Sequence, residues 1–142
     1  MFATIPLAAM AWLRRPCAVA LASAGVTTTD CLFCKIVAGD VPAAKVYETE
    51  STLAFRDIGP KAAVHVLVIP KAHHSDVAAL AKADPALAGE VLAAAADVAA
   101  AEGLLEHGFR VIFNTGPYGG QEVFHVHAHV LGGEPLGPMI SK

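Results

Sequence analysis

The sequence is poor in charge. Asp, Glu, Lys and Arg together make up 16% of its 142 residues, against a hydrophobic share of 55%. Soluble proteins average roughly a quarter charged residues, and disordered chains combine low hydrophobicity with high charge, so this composition excludes a disordered class. Basic clusters are also missing: none is larger than Arg14-Arg15, and the formal net charge is -3. A nucleic-acid polymer or an anionic membrane surface calls for a positive footprint that this chain does not have. Internal repeats and a dinucleotide-binding glycine fingerprint are absent. Cysteine is scarce and odd in number, Cys17, Cys31 and Cys34. That disfavours a disulfide framework, and the C-x-x-C spacing of the last two points to metal or redox use in a reducing compartment, taken here as the cytoplasm.

The length suits one domain with a real core and is too short for two of ordinary size. Residues 1–29 contain no Asp or Glu and carry the two arginines, followed by the apolar stretch PCAVALASA. This resembles a processing signal superficially. The arginines follow an apolar opening, however, and the stretch after them is too short to span a bilayer, so residues 1–29 are expected to be a flexible extension and residues 30–142 the domain.

Thr27-Thr28-Thr29-Asp30 precede an apolar-periodic segment over residues 31–37, which predicts a short helix closed by Gly39-Asp40-Val41-Pro42. Residues 45–49 and 52–58 alternate as strands around Glu50-Ser51, and residues 64–69 form a β-rich run stopped by Pro70. Residues 76–83 and 85–104 are helical in spacing and propensity. Residues 109–114 and 124–131 read as two more strands around a glycine-rich turn. The order α, ββ, β, αα, ββ predicts an α+β fold, an antiparallel five-stranded sheet with helices packed on one face.

His125-Val126-His127-Ala128-His129 places imidazoles at i, i+2 and i+4, on one face if the segment is a strand. Burying three imidazoles merely as packing is costly, and neighbouring imidazoles can divide attack, orientation and proton transfer among themselves. Phosphorus is a suitable electrophile. Gly116, Gly119 and Gly120 just upstream allow backbone N–H groups to approach a phosphate, although an ordinary hairpin turn explains them equally well.

The run from Gly119 to Gly133, GGQEVFHVHAHVLGG, resembles the signature of the histidine-triad (HIT) family, particularly its Hint branch. Phe55-Arg56-Asp57-Ile58, VHVLVIPK from Val64 and CLFCKI from Cys31 are similar to that family's other blocks, in the same order. The resemblance implies a nucleotide-binding hydrolase that cleaves purine nucleoside 5'-phosphoramidates through a nucleotidyl-histidine intermediate. It gives His127 the nucleophile's role, places His129 by the phosphate and leaving group, has His125 orient the nucleophile, and makes His65 a supporting histidine. It places Asp57 on the ribose and Asn114 and Gly120 near phosphate or ribose. Leu32, Phe33, Ile36, Phe55 and Ile58 match positions that sandwich the base, although their spacing alone reads as ordinary core. Glu122 stands where Hint-like proteins often carry Ser or Thr. A carboxylate there repels a phosphate unless it turns away or is protonated, or it favours a cationic leaving amine.

The resemblance further implies a homodimer, and a structural zinc held by Cys31, Cys34, His65 and His125. Empty buried thiols or a redox dithiol are the alternatives for the cysteines. His73 and His74 are expected to flank the next helix on the surface. Competing functions are a dinucleoside polyphosphate hydrolase, a triad that ligates a catalytic zinc, and a nucleotide- or partner-binding module with weak turnover.

Overall fold

A computed structural model describes residues 30–140, so the extension expected over residues 1–29 lies outside the described residues. The elements run α1 (Leu32–Ala38), β1 (Lys45–Glu48), β2 (Thr52–Arg56), β3 (Val64–Pro70), α2 (Val77–Ala83), α3 (Pro85–Ala101), β4 (Phe109–Phe113) and β5 (Ala128–Gly132). All the strands pair antiparallel in one sheet of order β1-β2-β3-β5-β4. This is the expected α+β class.

Local chemistry accounts for the boundaries. The β1–β2 turn closes on Thr49, whose Oγ1 accepts from the amides of Thr52 at 3.0 Å and Ser51 at 3.3 Å. Asp76 and Asp84 cap α2 and α3 by accepting from the amides of Ala79 at 2.8 Å and Leu87 at 3.0 Å, and Pro85 opens α3, where its missing N–H costs nothing. Cys31 caps α1: its sulfur accepts from the Cys34 amide at 3.4 Å, and Gly39 ends the helix at φ 82°.

The two faces of the sheet are covered differently. Ala54, Val66, Val68, Ala128 and Val130 form the main core with Leu80 of α2 and with Val91, Ala94, Ala95 and Val98 of α3. Leu53, Phe55, Leu67 and Ile69 point the other way and pack against Phe33 and Ile36. The two later helices thus share one face as expected, while α1 lies on the opposite one. Its apolar stripe is only one turn wide, enough to cover β2 and half of β3. The register places His65 opposite Leu131, and His129 between Leu67 and Ile112. Alternation then puts His65, His129, Leu131 and Ile112 on the α1 face, beyond the end of α1. That uncovered half of the face is where a cleft opens.

The last strand begins later than the sequence pattern indicates. Residues 124–127 are extended or bent but unpaired, so His125 and His127 precede β5 and only His129 lies on it. Ladder pairing of β4 with β5 ends at Phe113 and Ala128, and beyond this point other partners claim the chain. The Val126 amide, for example, donates to the His74 carbonyl at 2.7 Å.

Leu80 is 1% exposed and joins α2 to the main core. Leu80→Ala is expected to cost about 2–5 kcal/mol, read as a fall in the urea midpoint at unchanged m-value.

Candidate active site and metal centre

A cleft of about 590 Å³ lies on the open half of the sheet, walled by Asp57, Ile58, Gly59, Lys61, His65, Ile112, Asn114, Gly120, Glu122, His127, His129 and Leu131. It gathers eight of the residues singled out from sequence: Asp57, Ile58, His65, Asn114, Gly120, Glu122, His127 and His129. Phe33, Ile36 and Phe55 are instead core residues at 4–6% exposure, and Leu32 is outside the cleft lining. Ile58, by contrast, is fully exposed at its mouth. Lys61 is the cationic side chain of the wall, and no sequence signal pointed to it.

Hydrogen bonds determine which imidazole nitrogens carry protons. His127 Nδ1 lies 2.8 Å from the His125 carbonyl, which can only accept, so Nδ1 holds the hydrogen and Nε2 keeps a free electron pair. The Lys61 amide donates to His65 Nδ1 at 3.0 Å, so the neutral His65 ring carries its hydrogen on Nε2. That nitrogen lies 2.8 Å from His129 Nδ1, which must accept, and 3.5 Å from Asp57 Oδ2. His129 then bears its hydrogen on Nε2, a buried atom with no partner among the described residues. A lone pair on His127 and an unsatisfied N–H on His129 therefore stand side by side, their rings 4.9 Å apart. Burial pushes the His129 pKa down to about 4, with further lowering from His127 and His65, so the ring is neutral near pH 7.

The glycine-rich turn is built around Gln121. Its side-chain oxygen accepts from the Gly116 amide at 3.1 Å, and its Nε2 donates to the carbonyls of Ser75 at 2.7 Å and Val123 at 3.1 Å. Gln121 is buried and ties this loop to the histidine segment, a role that sequence inspection missed. Gly120 sits at φ 75°, and a Cβ on Gly119 would collide with the Thr115 carbonyl, so this backbone path requires glycine at both positions. Asp57 also satisfies its humbler reading as a turn residue, since its Oδ1 accepts from the Gly59 amide at 2.7 Å. Glu122 is exposed and has no hydrogen bond or ion pair among the described residues.

The first triad histidine in sequence, His125, turns away from the cleft. Its Nε2 donates to the Pro70 carbonyl at 2.8 Å, leaving the Nδ1 electron pair toward Cys31 Sγ at 3.5 Å, Cys34 Sγ at 3.6 Å and His73 Nδ1 at 3.2 Å. His73 Nδ1 lies 3.3 Å from Cys34 Sγ. A tetrahedral zinc with bonds of about 2.0 Å to nitrogen and 2.3 Å to sulfur sets its ligand atoms roughly 3.3 Å apart for two nitrogens and 3.5 Å for a nitrogen and a sulfur. The Cys31, Cys34, His73, His125 group fits that spacing. Burial pushes the His125 pKa down to about 4, against the opposing Pro70 hydrogen bond, which keeps its ligand nitrogen unprotonated. Burial, followed by the Cys31 thiol, pushes Cys34 up to about 11, a value unlike that of a reactive redox thiolate.

Two expectations need correction here. His65 is not part of the cysteine cluster, since its Nε2 lies 2.8 Å from His129 Nδ1. His73 stands there in its place, although the sequence predicts that it flanks a helix on the surface: its Nδ1 lies 3.3 Å from Cys34 Sγ and its ring 5.0 Å from that of His125. Asp57, His65 and His129 also place possible ligand atoms close together. A cation on His65 Nε2 would, however, force that ring's proton onto Nδ1 and against the Lys61 amide, which disfavours a metal there.

The HIT domain family model matches residues 38–136. The chain belongs to the HIT family. It is 41% identical over 112 residues to a purine nucleoside phosphoramidase of Escherichia coli (strain K12), covering 79% of this chain and 94% of that protein. It is 45% identical over 108 residues to a 14 kDa zinc-binding protein of Zea mays, covering 74% and 83% of the two chains. A solved HIT family hydrolase from Legionella pneumophila Philadelphia 1 superposes with a TM-score of 0.71 at 47% identity, over 75% of this chain and 99% of that one. The HIT domain thus accounts for the whole sheet and the cleft.

The neutral, half-buried His129 makes stability depend on pH. An unfolded histidine protonates near pH 6.5 and the folded one only near 4, so the unfolded chain binds more protons between these values and stability falls as pH drops through that window. The loss assignable to this ring is about 1–3 kcal/mol, allowing for partial exposure. Urea midpoints of the native chain and His129→Gln, compared at pH 7 and pH 4.5, should show the shallower decline in the variant.

Proposed function

We propose that this protein is a nucleotide hydrolase that cleaves purine nucleoside 5'-phosphoramidates. The observation carrying the proposal is the pairing of an outward lone pair on His127 Nε2 with an unsatisfied N–H on His129 Nε2, both at the wall of one cleft. The lone pair attacks phosphorus, forming an N–P bond while the P–N bond to the amine breaks. The developing charge on the His127 ring is stabilised through Nδ1–H by the His125 carbonyl. The His129 N–H stabilises a phosphoryl oxygen or the leaving nitrogen, with His65 holding that ring in the donating tautomer. Water then displaces His127; over the cycle one water is consumed, its proton going to the amine and its hydroxyl to phosphorus.

Asp57 offers its Oδ2 to the ribose hydroxyls, Asn114 and Gly120 lie along the phosphate path, and Ile58 supports the base at the cleft mouth. The likeness to the E. coli purine nucleoside phosphoramidase supports this assignment over a dinucleoside polyphosphate hydrolase. Cys31, Cys34, His73 and His125 hold a structural zinc in the same proposal, which the ligand spacing and the maize zinc-binding relative support. A homodimer and a cytoplasmic location belong to it as well. The outer edge of β4 is unpaired within the described sheet, as a dimer joined through its sheets requires. No helix among the described residues is long and apolar enough to cross a membrane.

A fluorogenic nucleoside 5'-phosphoramidate should be turned over by the native chain. His127→Gly should lower kcat by about 10³-fold or more while the far-UV spectrum stays unchanged. Glu122→Ser removes a charge worth about 1 kcal/mol of repulsion and should raise kcat/KM several-fold on a neutral leaving amine. Absence of turnover with every phosphoramidate tried, together with tight nucleotide binding, would replace the enzyme by a binding module. Metal analysis of protein purified without chelator should find one zinc per chain, and Cys34→Ser should abolish it.

A further inference from the structure

The metal cluster and the nucleophile are joined by one short covalent and hydrogen-bonded path. His125 contributes its ring to the cluster and its backbone carbonyl to His127 Nδ1, at 2.8 Å. The ring's other nitrogen is anchored on the Pro70 carbonyl at 2.8 Å, so its orientation is held at both ends. Phe33, one residue before the ligand Cys34, packs edge-on against both His125 at 5.9 Å and His127 at 5.2 Å. Next to His73, the His74 carbonyl accepts from the Val126 amide between the two histidines at 2.7 Å. Movement of the His73 loop, α1 or the His125 ring is therefore passed directly to the carbonyl that decides the His127 tautomer.

We propose that His73 is a positioning residue for His127: with Cys31, Cys34 and a zinc ion it immobilises His125, whose carbonyl keeps the His127 hydrogen on Nδ1 and the lone pair on Nε2 toward the cleft. Without the ion, the cluster retains only contacts of 3.2–3.6 Å among thiols and imidazoles, which are weak hydrogen bonds at best. His125 is then held by the Pro70 hydrogen bond alone, and any shift of its backbone weakens the acceptor that distinguishes the two His127 nitrogens. His73 lies outside the cleft wall and touches no reacting atom, so its removal acts on turnover and not on nucleotide binding.

The kinetic arm of the test rests on the phosphoramidase proposal; the spectroscopic arm does not. The full-length chain is compared zinc-loaded and chelator-stripped, together with His73→Ala and with His73→Cys, which offers a third thiolate to the ion. Stripping or His73→Ala should lower kcat by about tenfold or more with KM within about twofold, and the ¹⁵N spectrum of His127 should change from one Nδ1–H tautomer to a mixture. His73→Cys should keep zinc, the single tautomer and most of kcat. A folded metal-free or His73→Ala protein with unchanged kcat and tautomer overturns the proposal, as does zinc-loaded His73→Cys behaving like His73→Ala. Unfolding of both the stripped chain and His73→Ala also overturns it, because the cluster would then be a condition of the fold and not a positioning device. Lack of turnover in the zinc-loaded native chain defeats the phosphoramidase proposal alone, since the His127 spectrum still decides this one.

Discussion

The insertion of β5 between β3 and β4 is the constraint on which the rest of the structure depends. Antiparallel bonds on both edges hold His129 between Leu67 and Ile112, and the diagonal neighbour His65 reaches it at 2.8 Å. A strand paired on both sides leaves little freedom for a ring on its face. The sheet behind it is sealed by α2 and α3 through small and β-branched side chains, which permit close approach without polar atoms to satisfy. The opposite face is covered by α1 over only half its width, and the cleft is the remainder.

Backbone groups, more than side chains, impose direction on the site. The Lys61 amide, the His125 carbonyl and the Pro70 carbonyl each face one imidazole nitrogen, and each can take only one role in a hydrogen bond. Three rings thereby receive defined tautomers, and the fourth, His129, receives its own from His65. Among the described residues this leaves a lone pair on His127 and an N–H on His129 without partners at the cleft wall, with a further lone pair directed at the cysteines. Burial reinforces this by holding His125 and His129 neutral, since a second proton on either ring would break the set.

Most of the fold was legible because it is local. Alternation marked β1 to β4 to within a residue or two, helical spacing and propensity marked α2 and α3, and Pro70 marked the end of β3. The cleft was largely legible too: eight of its wall residues lie in the motifs that carry the family resemblance. What failed depended on contacts between distant segments. Periodicity continued β5 back through His125, but the Val126 amide bonds the His74 carbonyl instead of a neighbouring strand. The spacing of Phe33, Ile36 and Phe55, by contrast, read as ordinary core, and they pack in the core.

The order and type of the elements, the C-x-x-C half-site and the histidine-rich segment were determined by the sequence itself, because propensity, capping and two-residue alternation act over a few neighbouring positions. The partners of those half-sites were decided by tertiary structure. His73 joins Cys31, Cys34 and His125 from a loop 39 residues from Cys34 and 52 from His125. Nothing in its neighbourhood distinguishes it from a surface histidine, because a metal site is a condition on distances in space. The same holds for the histidine triad: its spacing suggested one shared face and one function. The packing of α1 and the Pro70 carbonyl divides it, assigning His125 to the cysteines and leaving His127 and His129 to the cleft.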